Sequence, residues 1–139
     1  MTRVDRISIE RLWDLISAGT WGNLSDNEYE NLQRYLARTT MMWGGEIDGD
    51  IVCVFGVAPP TLISDSAMLW LWATDKVKDH EFIFVRRSQI IVKELLTQYS
   101  KLRGMCVRES TRSIRWVKWL GGKFGEPIGD FVPFVIGEG

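Results

Sequence analysis

One histidine, His80, and two cysteines, Cys53 and Cys106, are all the imidazole and thiol chemistry this chain of 139 residues contains. Both cysteines sit in apolar, strand-like runs, without the spacing of a metal site. That argues against a structural or catalytic zinc and marks the thiols as reduced core residues rather than a disulfide. Prolines number only 4, and no repeat, linker or low-complexity tract interrupts the chain, so a single domain over 1–139 is expected. No apolar run approaches the roughly 20 residues that cross a bilayer. The first residues, MTRVDRISIERLWDLI, are charged throughout and lack the apolar centre of a secretory signal. These absences point to a cytosol-like compartment, or to the inside of a particle assembled there. An excess of one charge is missing too: 17 basic residues face 18 acidic ones, for a net charge of −1. The domain therefore has no overall electrostatic footprint for DNA or RNA.

What the chain does have is apolar and aromatic bulk. Hydrophobic residues make up 45% and there are 7 tryptophans, enough for one sizeable core with aromatic area to spare for an interface. Ile9, Leu12, Trp13 and Ile16 recur at helical spacing behind Ser8, a good N-cap, so a helix is expected from Ser8 to about Gly19. Residues 25–38 predict a second helix, with Ser25 and Glu28 as a capping box and Tyr29, Leu32, Tyr35 and Leu36 as its buried stripe. Asp48-Gly49 between two apolar runs predicts a hairpin over 41–58, which Pro59-Pro60 ends. After the polar bridge TLISDS, AMLWLWAT (67–74) reads as a third strand. Residues 81–100 predict the longest helix, with Phe82, Val85, Ile91, Val92, Leu95, Leu96 and Tyr99 facing inward. A short strand at 105–109 follows, then a helix over STRSIRWVKWLGG from a cap at Ser110 or Thr111, then strands in KFGEP and DFVPFVI. The order ααβββαβαββ implies an α/β (α+β) fold with a mixed, mostly antiparallel sheet, helices on both faces, and one parallel strand pair across the long helix.

This order, with the stretch at 110–122, resembles the GNAT superfamily of acetyl-CoA-dependent N-acetyltransferases. Its members often carry a late helix of the form Asn-x-x-Ala-x-x-x-Tyr-x-x-x-Gly-Phe. Here Ser110 stands at the Asn position, Ser113 at the Ala and Val117 at the Tyr, with Leu120-Gly121 closing the frame. A narrower likeness is to the GNAT-like proteins of short-tailed phages, the group that includes internal virion protein A. LWLWATDKV, the long helix with its late Tyr99, and TRSIRWVKWLGGKFGEP carry that likeness, which spans about 40–137.

The resemblance implies a CoA diphosphate bound at the start of the long helix, a base for the attacking amine and a Tyr as acid. Residues 73–89 contain no glycine to let a phosphate reach the backbone. Asp79 would cap that helix, yet Asp79 and Glu81 would repel an anion there. Lys76, Lys78 and Arg86, with Ser110, are the candidates to hold the cofactor. Asp75 and Glu109 are the candidate catalytic carboxylates, with His80 behind them; Asp75 reads first as a cap or turn residue, and Glu109 also as a partner of Arg108 or Arg112. Val117 cannot donate a proton. Cys106 reads as a core thiol, not a nucleophile.

Arg112, Arg115 and Lys118 are three apart, on one slowly drifting helix face. They could track a nucleic-acid backbone beside Trp119, but read first as a solvated face. The expectation is thus a phage GNAT-fold protein, a virion-associated or assembly component with a degenerate acetyl-CoA site and other virion or host proteins as partners. It would sit in the host cytoplasm or be packaged in the virion. The alternative is an active acetyl-CoA-dependent N-acyltransferase acting on a host protein or small amine.

Overall fold

The computed structural model describes residues 2–19, 25–60 and 66–137, without the side chains of residues 28 and 31. The described elements are β1 (Thr2–Arg6), α1 (Ile9–Ser17), α2 (Asp26–Arg38), β2 (Met41–Ile47), β3 (Asp50–Ala58), β4 (Ala67–Ala73), a single 3₁₀ turn (Asp75–Val77), α3 (Glu81–Gln98), β5 (Lys101–Val107), α4 (Thr111–Trp119), β6 (Lys123–Phe124) and β7 (Phe131–Gly137). The strands form one seven-stranded sheet in the order β1-β2-β3-β4-β5-β7-β6. Every neighbouring pair is antiparallel except β4–β5.

Local chemistry explains most of these elements. The Ser8 side chain accepts a hydrogen bond from the Arg11 backbone N–H and starts α1. The hairpin turns at Asp48 and Gly49, at φ 50° and 92°, the paired positive values of a tight two-residue turn. Side-chain alternation along β3 and β4 then divides the core. Leu12, Leu32 and Leu36 of α1 and α2 pack on Met42, Ile51, Val54 and Trp70. On the other face Phe84, Val92 and Leu95 of α3, with Trp116 and Val117 of α4, cover Phe55, Val57, Leu69, Leu102 and Phe134.

Four expectations are corrected here, and the bounds of two strands move. β1 is an additional strand: TRVDR has one apolar residue, Val4, and no two-residue hydrophobic period, so only its pairing with β2 makes it a strand. As an edge it is charged, which protects it from further pairing, and the Arg6 guanidinium lies 5.5 Å from the Trp43 ring centroid. Secondly, Phe82 is 68% exposed; α3 instead turns Phe84, Val85 and Ser88 inward. The cause lies on β2, where Gly45 has no Cβ and Phe84 fills that space: a Cβ would stand 2.7 Å from the Phe84 ring. Thirdly, Tyr29 is exposed, resting against Trp13 at 5.4 Å between ring centroids. Finally, α3 is preceded by His80 rather than capped by Asp79, and the His80 Nδ1 pairs with the Thr2 hydroxyl at 3.1 Å. The expected strand at 105–109 is β5, which begins four residues earlier at Lys101, and the KFGEP strand shrinks to Lys123–Phe124. The Glu28 side chain of the capping box, the break at Gly22 and residues 61–65 of the bridge lie outside what the structure describes.

Glu46 is a buried carboxylate that patterning did not reveal. It sits under β1 and α1 and accepts from Arg3 Nε at 2.7 Å and Arg11 Nη2 at 3.2 Å. The two arginines tie β1 and α1 to the sheet through one compensated charge.

Both cysteines are free and buried. Burial pushes the Cys53 thiol up to about 12 and the Cys106 thiol up to about 11. The folded state thus holds these protons more tightly than the unfolded chain, whose thiols titrate near 9.0. Their contribution to stability is complete below that pH and is lost as pH climbs towards 11 and 12. A thiol reagent at pH 8 is expected to leave both thiols of the native protein unlabelled and to modify both once urea unfolds the chain. Labelling of the native protein at the unfolded rate would contradict their burial.

Candidate active site

The site follows from an interruption of the sheet. β4 and β5 pair only at Ala67↔Leu102 and Met68↔Arg103, and then diverge. Gly104 marks the point of divergence: its missing Cβ lets β5 pass against the Leu69 carbonyl and the Phe134 ring. Beyond it lies a cleft of about 360 Å³, within the range of small-molecule sites.

Residues from both sides of the sheet line this cleft. Leu32 and Tyr35 reach it from α2, Trp70 and Trp72 from β4. Cys106 and the N-terminal serines of α4, Ser110 and Ser113, reach it from the other side, with Met105, Val107 and Phe131 at its rim. Trp70 is held firmly. Its indole N–H donates to the Thr39 hydroxyl at 2.9 Å, and its ring stacks on Tyr35 at 6.4 Å and 9°. Gly56 on β3 leaves room for that ring, since a Cβ would stand 2.6 Å from it. Burial raises the Tyr35 phenol above its ordinary range, so it stays a proton-bearing donor at neutral pH. Ser110 caps α4 by accepting from the Ser113 backbone N–H at 3.4 Å, and its hydroxyl lies 3.0 Å from that of Ser113.

The charged candidates fall elsewhere. Asp75 is exposed on the 3₁₀ turn, with its Oδ1 2.9 Å from Arg112 Nη1. Glu81, at the start of α3, accepts from Arg112 Nε at 3.3 Å and from Arg115 Nη2 at 2.7 Å. The Asp75 hydrogen bond leads in raising the Arg112 pKa, so this guanidinium stays charged. These ion pairs bridge α3 and α4 over a small pocket of about 20 Å³. They also dissolve the expected basic stripe, because two of its three cations, Arg112 and Arg115, face carboxylates. Lys76, Lys78 and Arg86 are exposed around the same end of α3, and Glu109 is exposed just before α4. Among the cofactor and catalytic candidates, only Ser110 lines the cleft.

Val117 is fully buried in the core and lines neither pocket. The α4 side chains that do front the cleft, Ser110 and Ser113, precede it by one to two turns. Trp70 and Trp72 had a signal in the sequence: the alternation LWLW puts both on one strand face. Tyr35 and Phe131 had none, because only the tertiary fold brings α2 and β7 to the gap. Among the described residues, no group of three His, Cys, Asp or Glu could hold a metal ion, and no helix is long and apolar enough to cross a membrane.

No family model matches the chain, and no curated protein is similar to it. Solved structures are. The IAA acetyltransferase from Bacillus cereus superposes with a TM-score of 0.67 at 9% identity, over 98% of this chain and 99% of its own. The GNAT domain of S. lividans PAT gives 0.67 at 10% identity, over 97% of this chain and 89% of its own. A GNAT family acetyltransferase from Elizabethkingia anophelis, solved with acetyl-CoA bound, gives 0.66 at 12% identity, over 99% and 98%. The fold is that of the GNAT acetyltransferases. At these identities the fold is what is shared.

Proposed function

We propose that this chain is an acyl-CoA-dependent N-acyltransferase of GNAT fold, made by a short-tailed phage and acting in the host cytoplasm. The observation that carries the reading is the open cleft between β4 and β5. Diverging strands leave edge N–H and C=O groups that can pair with an extended, amide-bearing chain such as a pantetheine arm. The bound thioester supplies an activated acyl carbonyl. Ser110 and Ser113 offer hydroxyls inside the cleft. The diphosphate would lie at the start of α3, where Lys76, Lys78 and Arg86 supply charge in place of a glycine-rich turn.

The test is a thermal shift. Acetyl-CoA at about 100 times its Kd is expected to add about 2.7 kcal/mol to the stability of the folded state. Lys76→Ala with Lys78→Ala is expected to weaken that binding about tenfold, most clearly at low salt. No shift at millimolar acetyl-CoA would remove the reading.

A second reading is a virion-associated binding component whose CoA site is degenerate. What favours it is the exposed apolar face of α3, where Phe82 and Ile90 stand in solvent, together with the placement of Asp75 and Glu109 outside the cleft. Recovery of the chain from purified particles, with no acetyl-CoA binding, is the result this reading expects.

A further inference from the structure

The lining of the cleft carries chemical information about the acceptor. Among the described residues, no carboxylate, imidazole, ammonium or guanidinium lines it. The polar side-chain groups of the described lining are the Tyr35 phenol, the Ser110 and Ser113 hydroxyls, the Cys106 thiol and the Trp70 and Trp72 indole N–H groups, none of which is a base at neutral pH. An alkylammonium acceptor needs a base to free its lone pair and a negative group to compensate its charge on leaving water. Among the described residues, the cleft offers neither. Its aromatic lining comes from Tyr35 and Trp72, with Trp70 buried against Tyr35, and its apolar rim is Met105, Val107 and Phe131, which are 44%, 50% and 36% exposed.

We propose that the acceptor is a neutral aromatic amine, whose ring stacks in this cleft and whose nitrogen needs no deprotonation before attack. The inference rests on the acyl-transfer reading above and names its substrate class. An aryl amine is uncharged at pH 7 because its lone pair is shared with the ring. Its face matches the indole and phenol walls, and no charge has to be buried. The nitrogen lone pair forms the new bond to the thioester carbonyl carbon as the carbon–sulfur bond breaks, with the bonding electrons staying on sulfur. The nitrogen then sheds one proton, which ends on that sulfur through water. The products are an anilide and a free thiol.

The experiment uses the whole chain, acetyl-CoA, and two amines of similar size, 4-methylaniline and benzylamine. Binding is read from quenching of tryptophan fluorescence, and transfer from the thiol released. Saturable quenching by 4-methylaniline is expected, with transfer to it at least about tenfold faster than to benzylamine at pH 7. Its rate is expected to stay flat from pH 6 to pH 8, because the nucleophile is neutral throughout. A base-dependent reaction would instead climb about tenfold per pH unit. Phe131→Glu, at the exposed rim, is expected to weaken 4-methylaniline binding about tenfold and to narrow the preference over benzylamine. If acetyl-CoA binds but benzylamine is preferred, or the rate climbs with pH, the aromatic acceptor is overturned and acyl transfer stands. If neither acetyl-CoA nor 4-methylaniline binds, both fail.

Discussion

Trp116→Ala is expected to lower the stability of the folded state by about 3–5 kcal/mol, the range for emptying a large aromatic side chain from a core. Trp116 ties three elements together. Its indole N–H donates to the Ser88 hydroxyl of α3 at 2.8 Å, and its ring meets the Phe55 ring of β3 edge-on, at 6.0 Å and 82°. Ser88 is fully buried, and its hydroxyl turns back on the carbonyls of Phe84 and Val85 at 2.8 and 3.0 Å. Alanine would leave a cavity between α3, α4 and the sheet, and would remove the donor to a buried oxygen. Trp116→Phe separates the two costs. It keeps most of the volume, so its loss should be nearer the 1–3 kcal/mol of an unmade buried hydrogen bond. Urea unfolding checks both: the midpoint should fall in each variant, with the slope unchanged. An alanine variant within about 0.5 kcal/mol of the parent would mean that the α3–α4 contact contributes little.

Gly104→Val is expected to destabilise by about 1–3 kcal/mol or more, as overpacking does where the neighbours cannot yield. Two groups meet the new Cβ. One is the Leu69 carbonyl, backbone of a central strand; the other is the Phe134 ring, 2.5 Å away and itself fully buried. Neither is the free end of a flexible side chain. β5 would have to move away from β4 just beyond their last paired residues, so the variant should also weaken acetyl-CoA binding. Gly125→Ala is the control. A Cβ there meets only the Pro133 ring, at 3.4 Å, and the change should stay within about 0.5 kcal/mol. Thermal unfolding of both variants, with and without acetyl-CoA, gives the comparison. Equal midpoints for Gly104→Val and the parent would contradict the close packing of β4 and β5.

The elements with strong local signals were legible in the sequence. Ser8 caps α1, Asp48-Gly49 turns the hairpin, Ser110 opens α4, and the strands flanking the long helix are parallel. β1 was not legible, because a charged edge strand has no period of its own and depends on a partner for its shape. The inward face of α3 was misplaced for a related reason. Phe82 and Phe84 are equally apolar, and a glycine on β2, 37 residues earlier than Phe82 in the chain, decides which of them is buried.

The candidate site divides the same way. The arginines of α4 and the acids around α3 could be picked out individually, but their pairing could not. Arg112 and Arg115 reach Asp75 and Glu81 across more than 30 residues of sequence, so Glu81 holds α3 to α4 and Asp75, a candidate catalytic carboxylate, pairs with Arg112.

By itself the sequence determined the element order from α1 onward, the mixed sheet and the GNAT-like frame, because periodicity, caps and turns act over a few residues. Only the tertiary structure decided that β4 and β5 separate after two paired positions, that aromatic side chains from α2, β4 and β7 meet in the gap, and that no described charge lines it. Those facts depend on the close approach of groups far apart in the chain, governed by which glycines leave room for a neighbour, and no local pattern encodes that.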